Sequence, residues 1–156
     1  MPELPEVNTF QKYFDETSLG QKIGKVGVQD DKIIRNLNGE AFIGKLTGRT
    51  FTDSYRRGKY LFAKLDNGHD LLLHFGMTGD LNYYQEEEDR SRHERFVFHF
   101  ENGFRLGFDC PRKFARSLYL EDRDAYIEEL GLGEDALRIS EEDFLELARG
   151  KSGTLK

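Results

Sequence analysis

The 156-residue chain contains one cysteine, three prolines and no tryptophan. A lone Cys110 cannot form a disulfide within the chain, and it excludes a zinc site built from several cysteines. No apolar run approaches the ~20 residues that a membrane helix requires. The start also lacks the charged and then apolar segments of a secretory leader, so we expect a cytoplasmic protein.

The chain has little of the positive charge that nucleic-acid binding needs, and its net charge of −6 would repel phosphate. Its distribution is uneven. Residues 1–120 hold 18 acidic and 18 basic residues, whereas residues 121–146 hold 11 acidic and only 2 basic ones. Basic residues cluster at 56–59, at 112–113 and at Arg116. A locally basic surface is therefore compatible with the acidic total, although charge alone does not indicate DNA.

The aromatic content favours a β-rich core, since 13 Phe and 7 Tyr suit strands better than a helical bundle. An amphipathic helix is predicted first, with Pro5 in its first turn, Val7, Phe10 and Phe14 on one face, and Gly20 at its end.

Short apolar stretches separated by turns follow this helix. Asn-Gly pairs at 67–68 and 102–103 predict β-hairpins in which both turn residues have positive φ. These turns divide predicted strands at 60–65, 70–75, 95–100 and 104–108, and further strands are expected near 22–28, 32–37, 42–53 and 116–120. The predicted fold class is mostly β with flanking helices: a two-sheet β-sandwich or flattened barrel with an N-terminal helix.

Helical patterning returns near Asp122, and Ser140 begins a short helix that Gly150 is expected to end. We therefore predict a β-sandwich domain over residues 1–120, followed by a linker and the start of a helical module over residues 121–156.

The N-terminus carries the most specific chemistry. If Met1 is removed, Pro2 presents a secondary amine, which forms a charged iminium when it attacks a sugar C1′. Glu3 follows at once and can donate a proton to the ribose ring oxygen. Taken alone, this pair is more simply explained as the lead-in to a helix, because prolines at position 2 are common.

Five segments in the same order resemble the formamidopyrimidine-DNA glycosylase/endonuclease VIII family. They are residues 1–7 (MPELPEV), 57–61 (RGKYL), 74–79 (HFGMTG), 109–114 (DCPRKF) and 151–156 (KSGTLK), the last resembling the start of that family's helix–two-turns–helix module. The resemblance implies a base-excision-repair enzyme, a bifunctional DNA glycosylase and AP lyase that removes oxidised bases from duplex DNA. It implies a monomer that needs no cofactor or metal within this chain, since the family's zinc finger would lie beyond residue 156.

The resemblance also implies residue roles. Pro2 matches the nucleophile, Glu3 the proton donor, and Glu6 a second carboxylate of the catalytic pocket, although Glu6 equally fits a helix first-turn charge. Lys59 matches a loop lysine that contacts phosphate beside the lesion. His74 either contacts a backbone phosphate or makes a structural hydrogen bond at the end of a strand.

Three further residues, Met77, Arg112 and Phe114, match the group that fills the gap left by an extruded nucleotide. An everted base leaves an unstacked hole, which costs roughly a few kcal/mol. A thioether and an aromatic ring can wedge into that hole, and a guanidinium can address the orphaned partner base.

Departures from the family pattern bear on the same loop. Cys110 interrupts the usual aspartate–proline step, and Lys113 and Ala115 replace arginine and glycine. Two other functions stay open: a non-catalytic fragment that binds lesions or abasic sites without the C-terminal DNA clamp, and a protein-interaction sandwich that uses the acidic late segment. Lesion preference is not readable from these residues.

Overall fold

The computed structural model describes residues 2–149 and residue 151. Within them the helices are α1 (Leu4–Ser18), α2 (Gly39–Leu46), α3 (Arg123–Leu130) and α4 (Glu141–Ala148). The strands are β1 (Ile23–Val28), β2 (Phe51–Arg57), β3 (Tyr60–Leu65), β4 (Asp70–His74), β5 (Asp80–Tyr84), β6 (Glu94–Phe100), β7 (Arg105–Asp109) and β8 (Arg116–Leu120). Short 3₁₀ turns occur at Asp31–Ile33 and Glu87–Asp89.

The strands form two antiparallel sheets of four, in the orders β1-β6-β7-β5 and β2-β3-β4-β8. Their inner faces share one apolar core. Phe51 of one sheet, for example, meets Phe98 of the other edge-to-face, with ring centroids 5.5 Å apart. This arrangement confirms the predicted two-sheet sandwich with an N-terminal helix.

Helix α1 closes one side of the sandwich, where β2 and β5 are the edge strands. Phe14 packs on Phe51 of β2 at 5.0 Å between ring centroids. Toward β5, the backbone N–H of Tyr83 donates to the Tyr13 hydroxyl at 2.8 Å. The helix therefore spans the gap between the sheets, which fixes its N-terminus at one end of the molecule.

Two predicted strands were wrong. Residues 32–37 contain a 3₁₀ turn and a single bridge from Ile34 to Ser117, because the Asn36 side chain bonds to the backbone of Tyr119 in place of a ladder. Residues 42–53 divide into most of α2 and the start of β2. Asn38 caps α2 by accepting from the Ala41 N–H at 2.8 Å, a start signal that the strand prediction overlooked.

Both predicted Asn-Gly hairpins are confirmed, β3–β4 and β6–β7. Their turns differ from the expected form, because φ is positive only at Gly68 and Gly103 and not at the asparagines. Strand β5 was not predicted, since Asp-Leu-Asn-Tyr-Tyr buries only two of its five residues.

The outer face of the β2-β3-β4-β8 sheet is covered by the chain that follows β8. Phe62, Leu72 and Leu120 form a second apolar cluster there, and Tyr126 and Ile127 of α3 pack against it. The acidic late segment is thus folded onto the sandwich, while the boundary at residue 120 stays a prediction.

A buried ion pair attaches the next stretch of chain. Arg56 of β2 donates two hydrogen bonds to the Asp135 carboxylate at 3.0 and 3.1 Å, and the two side chains are 4% and 1% exposed. Arg56 also donates to the carbonyl of Gly58 at 3.0 Å, and Arg57 donates to the carbonyl of Gly133. These contacts attach residues 133–135 to the β2–β3 hairpin.

Helix α4 lies after this attachment and exposes Phe144, Leu145 and Leu147. Its predicted end at Gly150 and the module start at 152–156 lie outside the described residues. None of the helices that the structure describes is long and apolar enough to span a membrane.

Replacing Asp135 by asparagine should destabilise the fold by about 3–5 kcal/mol, because it leaves the Arg56 charge buried without its counter-ion. Urea denaturation at pH 7 measures this loss. Asp124→Asn is the matched control, since the Asp124 side chain is 86% exposed and its loss should cost less than about 0.5 kcal/mol.

The same pair makes stability depend on pH. Burial alone would raise the pKa of Asp135, but hydrogen bonds from the Leu137 N–H and Arg56 and the Arg56 charge outweigh it and lower that pKa. The folded state then binds the proton less readily than the unfolded chain, so this stabilisation is complete above the ordinary pKa of about 4 and is lost below it. An unchanged difference between wild type and Asp135→Asn from pH 7 to pH 3 would contradict this account.

Candidate functional site

The first turn of α1 positions the N-terminal residues. Glu3 is the N-cap, its backbone N–H donates to the Glu6 carboxylate at 3.0 Å, and its own carboxylate accepts from the Glu6 backbone in a capping box. Pro2 directly precedes this box and is partly exposed, while Met1 lies outside the described residues. The capping box accounts for the helix role of Glu6, and the catalytic role of Glu6 stays a proposal.

Lys59 joins this end of α1 from a different element. Gly58 and Lys59 form the turn between β2 and β3, and the Lys59 ammonium lies 2.7 Å from a Glu3 carboxylate oxygen. The side chains are 38% and 50% exposed, so the pair contributes little to stability. Residues 56 positions apart in the sequence are thus brought into contact, with the lysine still open to solvent.

Arg56 stabilises this turn through its hydrogen bonds. It links the Gly58 carbonyl, directly before Lys59, to the buried carboxylate of Asp135. Sequence reasoning missed this pair because its members lie 79 positions apart, and no local pattern connects them.

The Met77 loop is held by backbone packing. A Cβ on Gly76 (φ +61°) would lie 2.5 Å from the backbone carbonyl of Phe114, and a Cβ on Gly79 would lie 2.4 Å from the Phe75 oxygen. Only glycine fits either position. Beneath the loop, Phe75 stacks on Phe10 of α1 at 4.3 Å between centroids, so the loop is tied to the N-terminal helix.

The Arg112 loop is fixed against the Met77 loop. The Arg112 N–H donates to the Thr78 hydroxyl at 3.3 Å. On its other side, Arg95 donates to the carbonyls of Cys110 and Pro111 at 2.8 and 3.2 Å. The side chains of Met77 and Phe114 are 41% and 58% exposed on this support. The structure therefore brings the predicted gap-filling residues together as protruding side chains on a rigid base.

The departures from the family pattern each have a structural consequence. Cys110 is fully buried, so its thiol is packed in the core. Lys113 has a φ of 57°, unusual for a side-chain-bearing residue, and its ammonium lies 2.6 Å from Asp30. Ala115 is buried, and its backbone nitrogen would lie 2.6 Å from a Cβ on Gly76.

His74 ends β4 beside these loops. Its ring contacts that of Tyr60 at 4.9 Å between centroids, and its Nδ1 accepts from the Gly76 N–H at 3.3 Å. Burial lowers the pKa of His74 to about 4, helped by the positive charges of Arg116 and Lys59. At neutral pH the ring is therefore uncharged, with its proton on Nε2 as a hydrogen-bond donor. The structural bond is present, and a phosphate contact stays a proposal.

All these predicted residues lie at one end of the molecule. Pro2, Glu3 and Lys59 form one group, and Met77, Arg112 and Phe114 the other, with His74 on the strand between the two loops. Among the described residues, no group of three or more His, Cys, Asp or Glu side chains is arranged to hold a metal. An open groove of about 510 Å³ is lined by residues of β1, α2 and the chain between them, including Asp30, whose carboxylate pairs with Lys113 of the Arg112 loop.

The sequence of the chain is similar to those of known proteins. Residues 1–117 match the family model of the formamidopyrimidine-DNA glycosylase N-terminal domain. A formamidopyrimidine-DNA glycosylase of Glaesserella parasuis is 35% identical over 126 residues, which are 80% of this chain and 45% of the relative. Another, from Exiguobacterium sp., is 39% identical over 115 residues, 74% of this chain and 42% of the relative.

Solved structures show the same fold. Lactococcus lactis formamidopyrimidine-DNA glycosylase, bound non-covalently to DNA with an AP site, aligns with a TM-score of 0.82 at 26% identity, over 92% of this chain and 53% of that one. A complex of MutM with DNA containing carbocyclic 8-oxo-G aligns at 0.76 and 25% identity, over 83% and 49%. The chain thus has the fold of the aligned part of these proteins.

The chain belongs to the formamidopyrimidine-DNA glycosylase family, which confirms the resemblance. It spans about half the length of the curated relatives that it matches.

The pKa of His74 can be tested directly. In a pH titration followed by NMR of the imidazole, the His74 ring should stay neutral from pH 8 to pH 5 and titrate near pH 4. Since the unfolded chain binds this proton near pH 6.5, the contribution of His74 to stability is complete above about pH 6.5 and decreases as the pH falls toward 4. A titration midpoint above pH 6 would contradict the burial argument.

The packing of the two loops predicts that Gly76→Ala destabilises the fold by about 2–4 kcal/mol, through backbone strain and overlap with Phe114. Gly131→Ala is the matched control, because Gly131 has a φ of 60° but a Cβ added there would have no neighbour within 4 Å, and it should lose only about 1–2 kcal/mol. Thermal melts of both variants measure the difference; equal losses would show that the close approach is unimportant.

Proposed function

We propose that this chain carries the catalytic domain of a base-excision-repair DNA glycosylase and AP lyase, acting on oxidised bases in duplex DNA. The observation that carries the proposal is the convergence of Glu3 and Lys59, 2.7 Å apart, beside Pro2 at the N-terminus of a capped helix. Family membership supports it, as do relatives whose structures contain DNA with an AP site or 8-oxo-G.

In the proposed reaction the Pro2 nitrogen, free once Met1 is removed, bonds to the sugar C1′. The glycosidic bond breaks, and the base leaves with its electron pair and takes up a proton. Glu3 protonates the ring oxygen as the C1′–O bond opens, and the amine loses its proton to give an iminium. That cation acidifies the C2′ proton, whose removal forms a C2′=C3′ bond and expels the 3′ phosphate.

The other residues have binding roles in this proposal. Lys59 exchanges its Glu3 partner for a phosphate beside the lesion, and His74 donates from Nε2 to the backbone. Met77 and Phe114, already exposed on a rigid base, enter the gap that the everted nucleotide leaves, and Arg112 addresses the unpaired base. The partner is thus damaged duplex DNA, and we place the protein in the cytoplasm with the chromosome, as a monomer without a cofactor in this chain.

Borohydride trapping tests the proposal. The protein, with its initiator methionine removed as checked by intact mass, should form a covalent adduct with a duplex containing one abasic site. An N-terminally acetylated Pro2→Gly variant should form none, because its N-terminus is no longer a nucleophilic amine.

The control separates the two functions. Fluorescence anisotropy on a duplex with a tetrahydrofuran abasic analogue reports binding without chemistry. Binding together with an adduct supports the enzyme. Binding without an adduct supports the alternative, a non-catalytic abasic-site binder, and absence of both would overturn each of them.

A further inference from the structure

A row of aligned side chains crosses one end of the β2-β3-β4-β8 sheet. Arg57 pairs with Tyr60, Tyr60 with His74, and His74 with Arg116 in the antiparallel register. Register partners point to the same face of a sheet, so these four side chains lie side by side. With strands about 4.8 Å apart, the row extends roughly 10 Å from Tyr60 to Arg116.

The four side chains of this row differ in their contacts within the protein. Arg57 donates to the carbonyl of Gly133, and Tyr60 contacts the His74 ring. Arg116 is exposed, and within the described part of the chain its guanidinium has no ion pair and no side-chain hydrogen bond. It is therefore the cation of the row that has a charge and all its donors available.

The surroundings of Arg116 favour an anion. The charges of Arg116 and Lys59 both act on the His74 ring and help to lower the pKa of that ring, so both cations lie near it. His74 stays uncharged and adds a donor, without the repulsion that a third cation would cause. Arg116 also follows Phe114 by two residues, which places it at the base of the proposed gap-filling loop.

We propose that Arg116, which lies outside the five segments that resemble the family, is a phosphate-binding residue that contacts a different phosphate of the damaged strand from the one bound by Lys59. This inference rests on the proposed function, since it assumes that DNA lies at the end of the sheet where Arg116 is exposed. The guanidinium fork suits a phosphate because it can donate two parallel hydrogen bonds. Lys59 lies in the turn before β3 and Arg116 begins β8, two strands away and roughly 10 Å across the sheet, so the two cations can contact different phosphates.

Salt dependence of binding measures the number of phosphates contacted. Dissociation constants are determined by anisotropy between 50 and 200 mM KCl, with the tetrahydrofuran duplex as probe. Because each phosphate contact adds about 0.9 to the log–log slope, Arg116→Gln should reduce the slope by about 1 and weaken binding about tenfold at 0.1 M salt. Arg116→Lys should retain most of the slope, and Arg116→Met provides a second neutral variant.

Arg49→Gln is the matched control. Arg49 is a partly exposed arginine that pairs with Asp66 in the turn at the opposite end of β3. The Arg49→Gln variant also removes one positive charge, but far from the proposed phosphate site, so the slope of this variant should stay at the wild-type value. A double variant, Lys59→Ala with Arg116→Gln, should lose about 2 units of slope if the two residues bind separate phosphates.

The outcomes distinguish this inference from the proposed function on which it rests. If the wild type binds the duplex and forms the borohydride adduct but Arg116→Gln behaves like Arg49→Gln, Arg116 is not a phosphate contact and the proposed function stands. If the double variant loses only about 1 unit, the two cations share one phosphate and the inference is wrong in that form. If the wild type does not bind at all, both proposals fail.

Discussion

The antiparallel pairing of β3, β4 and β8 is the constraint on which the site depends. In an antiparallel sheet, the start of one strand lies beside the end of its neighbour. The Gly58–Lys59 turn precedes β3, the Met77 loop follows β4, and the Arg112 loop precedes β8. All three connections must therefore lie at the same end of the sheet. Helix α1 crosses the side of the sandwich and brings Pro2 and Glu3 to that end.

Rigidity at this end comes from backbone contacts more than from side-chain burial. The exposed Met77 and Phe114 side chains have little packing of their own, so their positions depend on how their loops are held. Gly76 touches the backbone of Phe114, Thr78 accepts from Arg112, and Arg95 binds the carbonyls on the far side. In the proposed function these side chains enter a DNA stack, and the loops beneath them are already held by these contacts.

The acidic total charge does not exclude the proposed role, because the excess of acidic residues lies in one late segment. Much of it lies in residues 121–146, part of which is folded against the sandwich through α3 and through Asp135. Burying the Arg56–Asp135 pair removes one charge of each sign from the surface. Near the Lys59 turn and β8, the charges of Lys59 and Arg116 both act on a histidine that is neutral above about pH 4. The net charge of −6 therefore does not describe how charge is distributed at this end of the molecule.

The sequence by itself determined the fold class, the first helix, both Asn-Gly hairpins and the family to which the chain belongs. These depend on local chemistry: apolar periodicity, turn residues and short motifs that are read within a few positions. It failed at 32–37 and 42–53, where the side chains of Asn36 and Asn38 form hydrogen bonds with backbone groups. Strand propensity does not reveal such bonds. The sequence also missed the Arg56–Asp135 pair and the alignment of Arg116 with His74. Only the tertiary structure decided these, because strand register and burial join residues that lie 42 and 79 positions apart and share no local pattern.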